Sequence, residues 1–202
     1  MMKSIRRESR HAGVGRHQAQ WLKVSAWLAA GALLWAASLA ARVSAPGEYA
    51  VKAAYLYNFG RFVEWPPQAT TEGSFSICVL GMDPFGRVLD GIVAGHTIDG
   101  KKVVARRIAR SEGAAGCRVI FISSSEAGEL TRVLAALANS AVLTVSDMPQ
   151  FTQSGGMIGF VQQDNRIRFA VNLAAAQRVG LKLSAQLLKL AVNVIKGGSS
   201  GG

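Results

Sequence analysis

Acidic side chains are scarce in this 202-residue chain: 12 Asp and Glu stand against 23 Lys and Arg, a formal charge of +11. There are three histidines, two cysteines and five prolines, and aromatic residues make up 7%. Each shortage excludes something. Two cysteines cannot staple a small disulfide scaffold, and a chain that is 50% hydrophobic is neither disordered nor collagen-like. No H-E-x-x-H, C-x-x-C or calcium-loop spacing occurs, so no metal is expected. Neither G-x-G-x-x-G nor G-x-x-x-x-G-K-[ST] is present, which removes the usual phosphate-cradling loops, and no cofactor is expected. His11 and His17 lie far forward, leaving His96 as the single histidine of the main body, and no G-x-S-x-G elbow presents a nucleophile. A hydrolase would have to depend on His96 beside Gly95, a loop setting. Catalysis is poorly supported, and the chain reads as a non-enzyme.

The positive charge is unevenly spread. Residues 1–45 carry Lys3, Arg6, Arg7, Arg10, Arg16, Lys23 and Arg42 against Glu8 alone, so this stretch holds +6. The other 157 residues hold +5, an ordinary solubility value that makes no case for nucleic acid. The basic front is followed by 18 uncharged residues, Val24 to Ala41, and then by small residues around Ala40 and Ala45, the layout of an export signal. Cleavage is placed after Ala45 or near Ala40 and Ala41; the alternative is an uncleaved anchor, since 18 apolar residues just reach across a bilayer. Either version puts residues 46–196 outside the cytoplasm, and residues 197–202 form a flexible Gly/Ser tail.

In an oxidising compartment Cys78 and Cys117 are expected to form a bridge, with two buried free thiols as the alternative. Each opens or lies within a strong strand candidate, Phe75–Leu80 and Cys117–Ile122. Val51, Tyr55, Phe59, Phe62 and Val63 predict an amphipathic helix from Glu48 to the Trp65-Pro66-Pro67 stop. Asp83-Pro84 predicts an N-cap and first position, with Phe85, Val88, Leu89 and Ile92 on the buried face and Gly95 at the end. Asp99-Gly100 marks a turn into a basic strand, Lys101 to Ala109. Ser123 to Glu126 offers a capping box for a helix striped by Leu130, Val133, Leu134 and Leu137, and Ala141 to Val145 is a buried strand. Asp164-Asn165 predicts a hairpin joining Met157–Gln163 to Arg166–Asn172, and a last helix from Ser184 carries Leu187, Leu188, Ala191, Val194 and Ile195. The expected fold is one α/β domain: a layered sandwich with a mixed, partly parallel sheet flanked by helices, ending in a β-hairpin plus helix.

Among binding features, Arg166 and Arg168 share one face of a strand, and with Arg61 nearby the three would grip a phosphate or carboxylate. The alternative is solvated surface arginines. The basic run Lys101, Lys102, Arg106, Arg107 and Arg110 reads as a guarded edge strand or as an anion contact. No aromatics interleave it, which argues against single-stranded nucleic acid.

Taken in order, Tyr49-Ala-Val-Lys-Ala-Ala-Tyr-Leu-Tyr-Asn-Phe59, Phe62-Val-Glu-Trp-Pro66, Cys78-Val-Leu-Gly81, Asp83-Pro-Phe-Gly86, Val119-Ile-Phe-Ile-Ser123, Leu143-Thr-Val-Ser-Asp147, Gly155-Gly-Met-Ile158, Arg168-Phe-Ala-Val-Asn172 and Gly180-Leu-Lys-Leu-Ser184 resemble the YfiR family of periplasmic proteins. The resemblance implies a non-enzymatic repressor of the periplasmic sensor part of an inner-membrane diguanylate cyclase, lowering cyclic-di-GMP and biofilm formation. It also implies a homodimer as one state, and nucleotide-like or aromatic ligands for which Arg61, Arg166 and Arg168 are the candidates. A second cysteine pair present in some members is absent here. The competing function is a periplasmic binding protein for a small anionic or nucleotide-like ligand, seated at the carboxyl ends of the parallel strands near Met82, Ser123 and Ser146.

Overall fold

Residues 47–67 and 73–197 are described by the computed structural model, and they fall within one compact unit. The export segment and all of the tail beyond Gly197 lie outside the described residues.

Helix α1 (Glu48–Phe62) runs directly into the two-residue strand β1 (Val63–Glu64). Strand β2 (Phe75–Leu80) and helix α2 (Arg87–Val93) follow, then the hairpin of β3 (Thr97–Ile98) and β4 (Lys101–Ile108). Next come β5 (Cys117–Ile122), a 3-10 turn over Ser124–Glu129, α3 (Leu130–Leu137) and β6 (Leu143–Ser146). The last third contains β7 (Ile158–Gln163), β8 (Arg166–Asn172), α4 (Leu173–Arg178), β9 (Lys182–Leu183), α5 (Ala185–Leu190) and β10 (Asn193–Ile195).

Eight strands form one mixed sheet in the order β10-β8-β7-β6-β5-β2-β4-β3, and β1 pairs with β9 apart from it. The centre, β4-β2-β5-β6-β7, is parallel; the β7–β8 and β3–β4 hairpins are antiparallel. β2 and β5 are buried at every residue, as strands covered on both faces must be. Their alternation sends Ile77, Val79, Val119 and Phe121 to a core shared with α1, α2, α4 and α5, and Cys78, Leu80, Ile120 and Ile122 to one shared with α3. This is the expected layered α/β sandwich. Cys78 and Cys117, on neighbouring strands with Cα atoms 5.9 Å apart, form a disulfide.

Both two-residue turns have the left-handed backbone that Asn, Asp and Gly tolerate: Asp99 and Gly100 lie at φ 50° and 73°, Asp164 and Asn165 at 50° and 56°.

Four elements differ from expectation. The buried stripe of α1 is rotated: Val51 is 45% exposed, while Lys52, Ala53, Leu56, Phe59 and Gly60 face inward. α2 begins at Arg87 rather than at Pro84, because Asp83 Oδ1 accepts the Phe85 N–H (2.7 Å) and closes a tight turn first. The last helix stops at Leu190. Val194 and Ile195 lie instead on β10, opposite Val171 and Asn172, because β-branched residues gain more from pairing with the open edge of β8 than from another helical turn. α4 had no strong apolar period; Asn172 caps it by accepting the Ala175 N–H.

The fit of α1 against the sheet is tight at Gly60, where an added Cβ would stand 2.9 Å from Ile98 Cδ1 and from the Phe75 ring. Gly60→Ala gains up to about 1 kcal/mol of helix propensity, but overpacking against buried Phe75 costs about 1–3 kcal/mol. A net loss in the thermal midpoint is expected, and a gain would show that the α1–sheet contact is looser than described.

Candidate functional site

Helical spacing places Glu48 and Lys52 one turn apart on α1, and Asp147 directly follows the carboxyl end of β6. Lys52 Nζ donates to Asp147 Oδ2 at 2.6 Å and to Glu48 Oε1 at 2.5 Å. The Tyr49 hydroxyl donates to the same Asp147 oxygen at 3.0 Å, and the ammonium lies 4.4 Å from the Tyr49 ring centroid. Tyr49 meets Phe85 edge-on at 5.4 Å, and Phe85 meets Phe121 of β5 at 4.8 Å, which anchors the cluster in the core. Lys52 is only 3% exposed. Burial pulls its pKa down, but the hydrogen bonds to Asp147 and Glu48 outweigh that and leave it above 10.5. The amine is therefore held as an ammonium with both carboxylates as partners. It is no nucleophile or base; it is a clamp tying α1 to the carboxyl edge of the sheet.

The polar groups expected to bind a ligand at that edge are used within the fold. Ser146 Oγ donates to the Ile122 carbonyl (2.7 Å) and accepts from the Met148 N–H (3.1 Å). Ser123 Oγ accepts from the Ser125 N–H (3.4 Å), and the Met82 N–H donates to Ser125 Oγ (2.9 Å).

The arginines are divided. Arg166 lines a cavity of about 480 Å³ with Gly47, Glu48, Val51, Asn165 and Ile167, between the start of α1 and the tip of the β7–β8 hairpin. Arg168 is exposed two residues on, opposite Val161, itself 37% exposed. Arg61 does not join them. It lies 13 residues past Glu48 on α1, about 20 Å along the axis at 1.5 Å per residue, with its guanidinium 5.9 Å from the Tyr57 ring. Helix length thus separates Arg61 from the cavity that Arg166 lines at the start of α1. His96 packs its ring 4.9 Å from that of Tyr57.

Much of the basic strand is also occupied. Arg107 donates to Asp83 Oδ2 (2.8 Å), to both Asp90 oxygens (2.6 and 2.7 Å) and to the Gly86 carbonyl, and Arg106 donates to the Ala115 carbonyl. Among the described residues the outer edge of β4 beyond Lys102 carries no partner strand, which fits a guarded edge. The Arg107 hydrogen bonds hold the Asp90 carboxyl below 3.8 against a small opposing effect of burial. Such a depressed group stabilises above its ordinary pKa and loses that contribution as pH falls through the folded value. Asp90→Asn should cost less than about 1 kcal/mol at neutral pH, because the pair is half-exposed, and the difference should vanish in acid. Urea titrations at neutral pH and below pH 3.8 check both points.

Lys52 and Asp147 are the residues that spacing alone missed. The usable signal was a lysine placed within the helix's apolar run, Ala50-Val51-Lys52-Ala53-Ala54. Among the described residues no group of His, Cys, Asp and Glu is arranged to hold a metal, and no helix is long and apolar enough to cross a membrane.

Two solved structures match parts of this chain. One is the ABC domain in complex with L-Trp from Streptococcus pneumonia, 12% identical with a TM-score of 0.52, over 71% of this chain and 60% of that one. The other is a conserved domain protein from Vibrio cholerae O1 biovar eltor, 14% identical with a TM-score of 0.45, over 59% of this chain. This chain spans 60% and 54% of their lengths. At these identities the likeness concerns fold alone. The family comparison reaches further: the model described as YfiR/HmsC-like matches residues 49–192, from the clamp's Tyr49 to the turn before β10, and the chain belongs to that family.

Proposed function

We propose that the chain is a non-enzymatic periplasmic regulator that binds the periplasmic sensor part of an inner-membrane diguanylate cyclase and represses it, lowering cyclic-di-GMP and biofilm formation. The observation that carries this is membership in the YfiR/HmsC-like family, which fits regulation of cyclic-di-GMP signalling in the periplasm. Residues 1–45 act as the export signal and residues 46–196 as the working domain. Repression requires only a surface whose affinity differs between the active and inactive receptor. The start of α1 and the β7–β8 hairpin supply one, with Val51 and Val161 exposed beside Arg166 and Arg168; arginines flanking apolar side chains are typical of interface hot spots. The Lys52 clamp holds this surface in one shape before binding, which reduces the ordering cost.

The test is cellular cyclic-di-GMP in a deletion strain, restored with the whole gene or with a form lacking residues 1–45. A rise on deletion, reversed only by the exported form, supports the proposal, and no change overturns it. The double variant Arg166→Ala/Arg168→Ala should bind the cyclase sensor on the order of tenfold or more weakly, as loss of two interface arginines implies. Undiminished binding moves the contact surface elsewhere. Saturable stabilisation by a nucleotide with no effect of deletion on cyclic-di-GMP would favour a small-ligand binding protein instead.

A further inference from the structure

At the other end of the parallel strands, the ladder between β2 and β5 slips by one residue. Ser76 lies opposite Cys117 and Ile77 opposite Val119, so Arg118 has no partner on β2. A bulge of this kind re-aims the side chain of the extra residue. Arg118 is 8% exposed, and its guanidinium carbon lies 5.7 Å from the Trp65 ring centroid. Among the described residues no hydrogen bond or ion pair reaches it. Burial lowers its pKa while the more distant Asp99 charge pushes it back up, yet a guanidinium stays charged in any protein setting. A second donor close by is also unsatisfied: Trp65 Nε1 is the buried side-chain nitrogen without an acceptor among the described residues.

A largely buried cation that opens only onto a cavity, with no anion in hydrogen-bond reach among the described residues, is an incomplete arrangement, because burial of a charge is tolerated best when it is paired. Arg118 lines a cavity of about 640 Å³. Its walls include Pro66, Leu137, Ala141 and Val142, which are apolar, and Ser140, a hydroxyl. Glu112 also lines it. One positive charge in a cavity that also carries a carboxylate suits a monoanion better than a dianion, and the apolar walls suit a hydrocarbon or aromatic body. We propose that Arg118, with Trp65 beside it and the cavity in front of it, forms a binding site for a small organic carboxylate. The site lies at the edge opposite the Lys52 clamp and does not depend on the regulatory function proposed above.

The experiment titrates the purified full chain, in a buffer free of carboxylates, with benzoate, benzylamine and inorganic phosphate. It follows the Trp65 indole N–H resonance, assigned with Trp65→Phe, and the thermal midpoint. Benzoate should saturate, move that resonance and raise the midpoint, while benzylamine and phosphate should do neither. Arg118→Gln should weaken benzoate about tenfold or more, the usual effect of losing a charge-assisted hydrogen bond, and Arg118→Lys should recover part of it. No saturable benzoate response, an equal response to benzylamine, a response to phosphate alone, or undiminished binding by folded Arg118→Gln would each overturn the proposal. If Arg118→Gln fails to fold, the comparison of benzoate with benzylamine on the unaltered chain decides.

Discussion

Lys52→Ala is expected to lower unfolding stability by about 3–5 kcal/mol, the cost of removing one partner from a buried ion pair and leaving the other charged and unpaired. Both terms point the same way here. Lys52 is nearly inaccessible, and the side chain of Asp147 is 13% exposed, so little water reaches the vacated position. The alanine also removes the ammonium from over the Tyr49 ring and leaves the Tyr49 hydroxyl as the remaining donor to Asp147 Oδ2. Asp147→Asn alone should be costly for the complementary reason. The pair Lys52→Met/Asp147→Leu should recover much of the loss, since replacing a buried ion pair with apolar groups of similar volume is often neutral and the remaining carboxylate, Glu48, is the more exposed of the two. Urea unfolding at neutral pH reads all three, and a loss below about 1 kcal/mol for Lys52→Ala would mean that the clamp is solvated.

The pH dependence has a definite sign. Because the folded-state pKa of Lys52 is raised above 10.5, its contribution is complete below that value and fades as pH rises through the higher folded value. The stability gap between the unaltered chain and Lys52→Met should therefore be flat across neutral pH and narrow only in strong alkali. Loosening the clamp also frees the start of α1 from the sheet, so under the proposed function Lys52→Met should weaken binding to the cyclase sensor even where the protein remains folded.

Cys78→Ala/Cys117→Ala is expected to cost about 4 kcal/mol, because the bridge closes a loop across a sequence separation of 39 and restricts the unfolded chain accordingly. The cost acts mainly on the unfolded state, so the signature is a lower denaturation midpoint with the native sheet intact by circular dichroism. Cys78 and Cys117 are 0% and 3% exposed, so a reductant cannot attack the bridge without local opening. Dithiothreitol should act slowly on the folded protein and quickly near the unfolding midpoint, after which it should unfold like the double variant. Rapid reduction under native conditions would show that β2 and β5 separate more easily than their burial implies.

These two features were unequally visible in the amino-acid order. The bridge followed from two cysteines in two largely apolar strands, and Asp99-Gly100 and Asp164-Asn165 each mark a turn whose backbone few other residues accept. Such signals are local, and local geometry decides them. The clamp depends on residues 95 apart, and no periodicity joins Lys52 to Asp147. A lysine in an amphipathic helix is expected to face water, so it turned the apparent stripe toward Val51 when the sheet in fact selected the Lys52 side. Val194 and Ile195 fit a helical stripe as well as a strand, and only the unpaired edge of β8 decides between them. The distance between Arg61 and the start of α1, where Arg166 lines its cavity, is set by the length of one helix, which spacing within each motif does not convey.

The partners of α1 also set an order of events in time. The helix is the first described element along the chain, yet Asp147, Phe160 and Phe169, which receive it, lie roughly a hundred residues later. Contacts so distant along the chain form late, because loop closure must come first. Until then α1 meets only its near neighbours such as Phe75, Phe85 and Ile98, while β2, β4 and β5 already lie within one contiguous stretch. The central strands and the Cys78–Cys117 bridge should therefore assemble first. In pulse-labelled hydrogen exchange, the amides of β2 and β5 should gain protection before those of α1, and the helix should close the molecule last.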